Sequence, residues 1–493
     1  MTAQLPFDNS YARLPARFFS HQAPEPVSEP GPVRSNTTLA RFLGIDADWL
    51  ASPEGVATIA GNQLPDGAEP IATVYAGHQF GNWNPQLGDG RAVLLGEVIA
   101  EDGQRYDIQL KGSGRTPYSR GGDGRAPLGP VLREYVVSEA MHALGIPTTR
   151  SLAAVTTGEA VYRNQRHPGG VLARVARSHI RFGTFQFFAA REDHEALQQL
   201  VTYCLQRHYP EHSDSENPAL ALLQQVVAAQ AKLVAQWQMV GFIHGVMNTD
   251  NMLVGGETID YGPCAFMDSF NPAQVYSSID HGGRYAYENQ PGITHWNLAC
   301  FAQSLLPLLH ADADTAVAQA QTAIDGFAQL FLDAHQQLMG EKLGLTLSGS
   351  EDEQLVQDLL AAMAEAEADF TLTFRALTDR VAGDTPEHQP VSDIFTLLAS
   401  MQAWIDRWES RAATEGADAH QRLQRMLAAN PVYIPRNHLV EACIRAAEDD
   451  GDLSVFHALV DRLESPWRYD PADSLFALPP RPEEIVRQTF CGT

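Results

Sequence analysis

The sequence predicts an α+β fold of two lobes, a β-rich first lobe with one major helix and a mostly helical second lobe. Between about residues 71 and 190, short apolar runs are separated by glycine, as in strands. From residue 191 onwards, stretches rich in Ala, Leu and Gln repeat apolar residues at the spacing of amphipathic helices. We therefore expect an N-terminal wrapping extension over 1–70, a first lobe over 71–190 and a helical second lobe over 191–493.

The extension and the first lobe have few predicted elements. The extension is rich in proline and polar residues and has one short helical pattern at 38–43. In the first lobe a helix is expected over Pro130–Leu144, because proline precedes it, its apolar residues follow helical spacing and Gly145 ends it. Strands are expected at Ala92–Ile99, Tyr106–Leu110 and Gly170–Val175.

The second lobe is predicted to consist of long helices interrupted by one polar segment. The segment 241–290 is dense in Asp, Asn, Gly and His, and such loop-rich segments commonly carry functional residues. A site in this segment would lie near the junction with the first lobe, where ligand clefts form. Helices are expected at roughly 217–240, 294–309, 313–339, 352–377, 395–410 and 436–448.

The composition is that of an acidic globular chain. Its 493 residues include 34 Lys and Arg against 60 Asp and Glu, a formal net charge of −26. Such a surface repels phosphate backbones and anionic membranes, so neither nucleic acid nor a membrane is an expected partner. We expect no apolar run near the roughly 18 residues that span a bilayer. The start resembles no signal peptide, and the five cysteines form no C-x-x-C pair. A cytoplasmic protein is expected.

Two glycine loops are candidates for binding an anion. The segment 111–125 has four basic residues and one acidic residue in an otherwise acidic chain, and its glycines let backbone N–H groups approach an anion closely. A solvated hairpin loop with incidental arginines is the alternative. The second loop, Gly88-Asp89-Gly90-Arg91, precedes a predicted strand but lacks the spacing of the common glycine fingerprints.

Lys111 and Glu134 are candidates for an ion pair inside the first lobe. Lys111 ends a predicted strand, and Glu134 lies in the predicted helix that follows. In ATP-dependent phosphotransferases, a glutamate of this kind positions the strand lysine on nucleotide phosphates. A surface lysine and an unrelated carboxylate on the helix face are the alternative.

The polar segment holds the best candidates for a metal site. Asn251 and Asp260 flank a short apolar hairpin, and side-chain oxygens are the ligands that Mg²⁺ or Mn²⁺ prefers. The spacing is typical of protein kinases, which carry H-R-D-x-x-x-x-N followed by D-F-G. His244 and Asn251 keep the first separation, and Asp260-Tyr261-Gly262 corresponds to D-F-G.

One position departs from that kinase pattern. Val246 occupies the place of the catalytic aspartate, and valine accepts no proton. Asp250, next to the candidate metal ligand, is the expected substitute as general base. An Asx-rich turn is the alternative interpretation, and it accounts for Asn248 and Asp250 but not for the whole string.

These strings closely resemble the selenoprotein O family, also called the YdiU family, of proteins with a protein-kinase-like fold. The resemblance implies a protein adenylyltransferase that binds ATP in a flipped orientation. Such an enzyme transfers AMP to Ser, Thr or Tyr hydroxyls of target proteins, with pyrophosphate as the leaving group. The resemblance covers nearly the whole chain, through Phe7–Leu14, Tyr75–Gly81, Gln109–Arg120, His244–Gly262 and Ile434–His438.

The resemblance also implies roles for individual residues. Lys111 is expected to hold nucleotide phosphates and to pair with Glu134. Asp250 is expected to accept the proton, with Asn251 and Asp260 on Mg²⁺ or Mn²⁺. The residues expected to line the nucleotide site are Gly88, Gly90, Arg91, Lys111, Asp123, Gly124, Arg174, Arg181 and Asp260.

A further implication concerns the C-terminal tail. Many relatives have a cysteine or selenocysteine a few residues before the C-terminus, where this chain has Cys491. A redox role, through a disulfide with a cysteine in the segment after Asp260, is associated with the family. Cys264 is the candidate partner here. An unpaired thiol at a frayed chain end is the alternative.

Two other functions are compatible with the sequence. An ATP-dependent phosphotransferase is favoured if another carboxylate reaches the γ-phosphate. A non-catalytic, nucleotide-binding pseudokinase that acts as a scaffold is favoured by Val246 taken alone.

Overall fold

The computed structural model describes residues 5–383, 388–416 and 418–490. Its main sheet has eight antiparallel strands in the order β1-β3-β6-β7-β10-β9-β2, with β8 paired to β10. The strands are β1 (Phe19–His21), β2 (Gly31–Ser35), β3 (Ile71–Thr73), β4 (Gly77–Gln79), β5 (Asn82–Asn84), β6 (Ala92–Ile99), β7 (Arg105–Lys111), β8 (Ala126–Pro127), β9 (Arg150–Tyr162), β10 (Arg166–Ala176), β11 (Phe242–Ile243) and β12 (Ala265–Phe266).

Helices dominate the second half of the chain, so the α+β prediction is confirmed. The helices of the described residues are α1 (Thr37–Phe42), α2 (Ala47–Ala51), α3 (Pro53–Ile59), α4 (Leu128–Ala143), α5 (Phe182–Ala189), α6 (His194–His208), α7 (Pro218–Met239), α8 (Gln290–Leu309), α9 (Ala313–Leu343), α10 (Gly349–Glu365), α11 (Phe370–Ala382), α12 (Gln402–Glu415), α13 (Ala419–Ala429), α14 (Asn437–Asp449) and α15 (Ser454–Leu463).

The centre of the main sheet positions the charged residues of the first half. Strand β7 pairs with β10 so that Lys111 lies opposite Leu172 and Gln109 lies opposite Arg174. Alternate residues of a strand share a face, and directly paired residues share one too. Lys111 and Arg174 therefore lie on the same face of the sheet, which faces helix α4.

The first 70 residues contribute more than a wrapping segment. Strand β1 pairs with β3 at one edge of the sheet, and β2 pairs with β9 at the other. Helix α1 lies where a helical pattern was expected, and α2 and α3 add apolar residues to one cluster with strands β6, β7, β9 and β10. The division of the chain into an extension and two lobes stays a prediction.

Helix α4 begins two residues before its predicted start. Pro127 ends strand β8 and occupies the N-cap position, and Pro130 lies in the first turn. A proline costs little there, because the N–H groups of the first turn have no partner within the helix. Helix α4 is buried between strands β9 and β10 on one side and helices α14 and α15 on the other.

The helical half agrees with the prediction in most places and differs in three. The single helix predicted over 352–377 is wrong, because α10 ends at Glu365 and Asp369 caps a new helix by accepting a hydrogen bond from Leu372 N at 2.8 Å. The helix predicted over 395–410 begins later, at Gln402. Helices α5, α6, α13 and α15 were not predicted.

Helix α7 is long and apolar enough to cross a membrane by length and composition, contrary to the expectation from the sequence. Of that stretch, 61% is buried inside the protein. Its apolar residues pack in one cluster with those of α5, α6, α8 and α9. The composition is thus also that of a helix at the centre of a core.

A buried ion cluster joins three distant segments of the second half. Arg436 is completely buried and donates to Asp268 at 2.5 Å and to Asp369 at 2.9 Å. Its Nε atom also donates to Ala477 O at 2.9 Å. The guanidinium thus links the middle of the polar segment to the start of helix α11 and to the chain beyond α15.

Substituting Arg436 with Met should strongly destabilise the fold. The change leaves Asp268 and Asp369 buried without a cation, which costs about 3–5 kcal/mol when one partner of a buried ion pair is removed. Arg481→Met is the matched control, because Arg481 is 72% exposed and pairs with Glu484 at the surface. Urea unfolding should show a large loss for the first variant and an unchanged free energy of unfolding for the second. Equal effects would contradict the assignment.

Candidate active site

A cavity of about 390 Å³ lies between the main sheet and the polar segment. The two glycine loops line one side of it, and the polar segment lines the other. The cavity is lined by all the residues that were expected to hold the nucleotide and the metal, namely Gly88, Gly90, Arg91, Lys111, Asp123, Gly124, Glu134, Arg174, Arg181, Asp250, Asn251 and Asp260.

Three cations surround the carboxylate of Asp260. Lys111 Nζ lies 3.0 Å and Arg174 Nη1 2.8 Å from Asp260 Oδ1. Arg181 Nη1 lies 2.8 Å from Asp260 Oδ2. Glu134 joins the same cluster, because its carboxylate accepts from Lys111 at 2.5 Å and from Arg174 at 3.1 Å. The cluster thus combines three cations with two carboxylates.

Local structure fixes each member of this cluster. Arg174 is held by Gln109 on the neighbouring strand, whose Oε1 accepts from its Nε at 2.9 Å. Asp260 has a left-handed backbone with φ of +63°, a conformation that aspartate adopts more readily than most residues. His244 supports that turn by donating from Nε2 to Ile259 O at 2.8 Å. The buried His244 is therefore a support of the loop and lies outside the cavity lining.

The two aspartates of the polar segment have opposite environments. Burial alone would raise the pKa of the Asp260 carboxyl, but Lys111, Arg174 and Arg181 hold it well below its usual range. Burial raises the pKa of Asp250 to about 6, and Arg181 offsets only part of that effect. Two carboxyls whose pKa values are pushed apart are suited to different roles. Asp260 stays ionised, whereas Asp250 can accept a proton near neutral pH.

Asp250 lies in a 3₁₀ turn, Thr249–Asn251, and only 6% of it is exposed. Its Oδ2 accepts from Gln79 Nε2 at 3.2 Å, and its backbone oxygen accepts from Arg181 Nη1 at 2.5 Å. Within the part of the chain that the structure describes, its Oδ1 has no hydrogen-bond partner. A buried oxygen without a partner is uncommon in folded proteins, and catalytic sites are one place where such groups occur.

The donor set fits a divalent cation that arrives together with phosphates. Asn251 donates from Nδ2 to Val246 O at 2.8 Å, which leaves its amide oxygen available to a cation, and Asp260 supplies a carboxylate. These are hard oxygen ligands. Among the described residues, no group of three or more His, Cys, Asp or Glu could hold a metal alone. The three cations beside Asp260 disfavour a bare ion and favour one already bound to a polyphosphate.

Arg163, which shapes the first glycine loop, was not predicted as a site residue. From the turn between β9 and β10, Arg163 donates to both oxygens of Asp123 at 2.8 and 2.9 Å and to Arg125 O at 2.9 Å. This hydrogen bond lowers the pKa of Asp123. The contact spans 40 residues of sequence, and neither residue belongs to a periodic pattern. Gln79 was missed for the same reason.

Of the two cysteines expected to take part in redox chemistry, only Cys264 lies within the described residues. Cys264 is completely buried, and burial raises the pKa of its thiol to about 12. Cys491 lies outside the described residues. Thr489 Oγ1 donates to Pro263 O at 2.6 Å, so the described end of the chain lies beside the residue that precedes Cys264. The disulfide stays a prediction.

The cavity combines three cations, two glycine loops and a buried carboxyl, an arrangement suited to an enzyme that binds a nucleotide. A family model described as protein adenylyltransferase SelO matches residues 1–464. Relatives from Rhodopseudomonas palustris strains BisB5 and BisB18, both named protein nucleotidyltransferase YdiU, are 58% and 56% identical over 100% of both chains. A relative of the same name from Bradyrhizobium diazoefficiens is 56% identical over the same extent. The chain belongs to the SelO family, which confirms the resemblance and the nucleotidyltransferase class.

Gly124→Ala should weaken ATP binding, because a Cβ atom at this position would lie 1.9 Å from Gly114 O and would push the glycine loop open. We expect a loss of about tenfold or more in affinity, equivalent to ~1.4 kcal/mol. Gly121→Ala is the matched control, since Gly121 also has a positive φ but no atom lies within 4 Å of its would-be Cβ. Calorimetric titration with ATP measures both variants. Equal losses would show that backbone strain, rather than the close approach, is responsible.

Proposed function

We propose that this protein transfers AMP from ATP to Ser, Thr or Tyr hydroxyls of protein substrates and releases pyrophosphate. The observation that carries the proposal is the pair of aspartates in one cavity. Asp260 is surrounded by three cations, while Asp250 keeps one buried oxygen without a partner among the described residues. Val246 lines the same cavity where a kinase would have its base.

A protein-kinase-like architecture of two lobes is part of the proposal. It is supported by the concentration of strands in the first half and of long helices in the second. It is also supported by the contact of Lys111, at the end of a central strand, with Glu134 on helix α4. The family membership supports the same architecture.

The nucleotide is proposed to lie with its α-phosphate near Asp250 and Asp260. In this orientation Lys111, Arg174 and Arg181 neutralise phosphate oxygens, and the β- and γ-phosphates extend towards the glycine loops. Arg120 and Arg125 line that end of the cavity. The flipped orientation is proposed from the resemblance, and it agrees with the same requirement, because AMP transfer needs the α-phosphorus beside the base.

Asn251 and Asp260 would hold Mg²⁺ or Mn²⁺ through their side-chain oxygens. When bound, the divalent ion neutralises charge on the phosphates. Lys111, Arg174 and Arg181 add fixed positive charge on the side of the sheet. Fixed charge in a cavity of low polarity stabilises a transition state without rearrangement.

The transfer step moves one proton and exchanges one bond at phosphorus. The acceptor hydroxyl oxygen attacks the α-phosphorus, and its proton passes to Asp250. The bond between the α-phosphorus and the oxygen bridging to the β-phosphorus breaks, and pyrophosphate leaves with the electron pair. The products are the AMP-modified side chain and pyrophosphate, and Asp250 returns its proton to solvent.

A conventional phosphotransferase is less well supported. The other carboxylates that line the cavity are occupied: Asp89 accepts from Thr73, Asp123 from Arg163, and Glu134 from Lys111 and Arg174. A base for γ-phosphate transfer would have to break one of these contacts. A non-catalytic scaffold would have no use for an unpartnered carboxylate oxygen beside the nucleotide site.

Incubation with ATP labelled at either the α- or the γ-phosphate tests the proposal directly. We expect protein-bound label only from the α-labelled nucleotide, because AMP retains that phosphate and pyrophosphate carries the other two away. Omission of the divalent metal should abolish the signal. Label from the γ position alone would establish a phosphotransferase instead, and no label from either would favour the scaffold.

Asp250→Asn should abolish most of the transfer while ATP still binds. The amide keeps the shape of the side chain but cannot accept the proton. Loss of a general base typically lowers the rate by roughly 10²–10⁴-fold. Asp325→Asn on the exposed face of helix α9 is the control and should behave as wild type. Labelling rates and ATP affinity are measured for both. Transfer by the Asp250 variant at near the wild-type rate would exclude Asp250 as the base.

A further inference from the structure

A short hairpin outside the main sheet contacts the turn that carries Asp250. Strands β4 and β5 pair only with each other among the described residues. The hairpin corresponds to part of the Tyr75–Gly81 string, to which no role has been assigned above. Its first strand runs directly along the 3₁₀ turn Thr249–Asn251, so it forms one wall of the cavity beside Asp250.

Three successive residues of this hairpin bind the turn. His78 N donates to Thr249 Oγ1 at 2.7 Å, and Phe80 N donates to Asn248 Oδ1 at 2.9 Å. Between them, Gln79 Nε2 donates to Asp250 Oδ2 at 3.2 Å. The two backbone contacts hold the strand against the turn. The side chain of Gln79 contributes the one contact to the carboxylate itself.

The approach of the hairpin is fixed at its base. Ala76 N donates to the oxygen of Gly183, near the start of helix α5, at 2.9 Å. A Cβ atom on Gly183 would lie 2.1 Å from Ala76 O, so the two backbones meet without room for a side chain. Arg181, two residues earlier, donates to the backbone oxygen of Asp250. The turn is thus held between the hairpin and the start of α5.

Gly77 lets the hairpin backbone approach the second carboxylate oxygen closely. A Cβ atom on Gly77 would lie 2.7 Å from Asp250 Oδ1 and 3.1 Å from Asp250 Cβ. Its φ lies outside the left-handed region, so the close approach, rather than backbone conformation, requires glycine here. The strand therefore contacts the two oxygens differently, because Gln79 donates to Oδ2 while the backbone of Gly77 packs beside Oδ1.

We propose that Gln79 is a positioning residue for the transfer, which holds the Asp250 carboxylate in the orientation that receives the acceptor hydroxyl. The inference rests on the proposed function, since it requires Asp250 to be the base. Gln79 touches the base and is separate from the expected nucleotide ligands. Gln79 is half-buried and lines the cavity, so it does not fill a position in a hydrophobic core.

The test compares Gln79→Ala and Gln79→Glu with wild type in AMP transfer from α-labelled ATP, with full titration of ATP. Gln79→Glu keeps the size of the side chain but replaces the donor by a second carboxylate beside Asp250. We expect kcat to fall by about tenfold to a hundredfold in both variants, since small displacements of a reacting group cost this much. KM for ATP should stay at the wild-type value. Gln86→Ala, an exposed glutamine beyond the hairpin, is the matched control and should leave both constants unchanged.

Gly77→Ala provides a second, independent variant. The added methyl group would lie 2.7 Å from Oδ1 and would displace the carboxylate, so transfer should fall while ATP still binds. Because this variant is the one at risk of misfolding, its melting temperature is measured as well. If it misfolds, the result for Gln79→Glu decides the test.

The outcomes separate the inference from the proposed function. Wild-type kcat in both Gln79 variants would overturn the inference. Full activity in Gln79→Glu with loss only in Gln79→Ala would also overturn it, because the side chain would then act only by filling space. A parallel rise in KM would instead make Gln79 a nucleotide-binding residue and would also overturn it. Failure of wild type to transfer α-label, or full activity of Asp250→Asn, would overturn the proposed function and the inference with it.

Discussion

The Asp260 carboxylate and the three cations around it are the interaction on which the site depends. Lys111 and Arg174 come from two central strands, and Arg181 comes from the start of helix α5. Together with Glu134 they connect the main sheet, helix α4 and the polar segment at one point. Three cations against two carboxylates leave one positive charge in excess within a chain whose net charge is −26. That excess makes the cavity attractive to phosphates while the rest of the surface repels them.

The same cluster explains why two neighbouring aspartates have different pKa values. Arg181 contacts the side chain of Asp260 but only the backbone of Asp250. Asp260 is therefore neutralised by cations, whereas the Asp250 carboxylate is buried with a single neutral donor, Gln79. Burial without a cation is what makes a carboxyl basic enough to take a proton near neutral pH. The loss of the kinase aspartate at Val246 is then compatible with catalysis.

Features that arise from neighbouring residues could be predicted from the sequence, whereas contacts between residues far apart along the chain could not. Strand β6 and helices α7 and α9 have long apolar patterns, and their positions were predicted within a few residues. Lys111, Asn251 and Asp260 lie in compact strings and were candidates for that reason, whereas Arg174 and Arg181 were expected only from the resemblance. Gln79 and Arg163 act across 171 and 40 residues respectively, and a single sequence carries no sign of such pairs. The break before α11 was missed because Asp369 caps a helix inside a stretch that otherwise keeps helical spacing.

The most direct test of the central claim is a crystal structure with Mn²⁺ and an ATP analogue that has a methylene group between its α- and β-phosphorus atoms. We expect phosphate oxygens on Lys111, Arg174 and Arg181, the α-phosphorus on the side of Asp250, and anomalous scattering from manganese beside Asn251 and Asp260. A nucleotide whose α-phosphorus lies at the glycine loops, with its γ-phosphate beside Asp250, would contradict it.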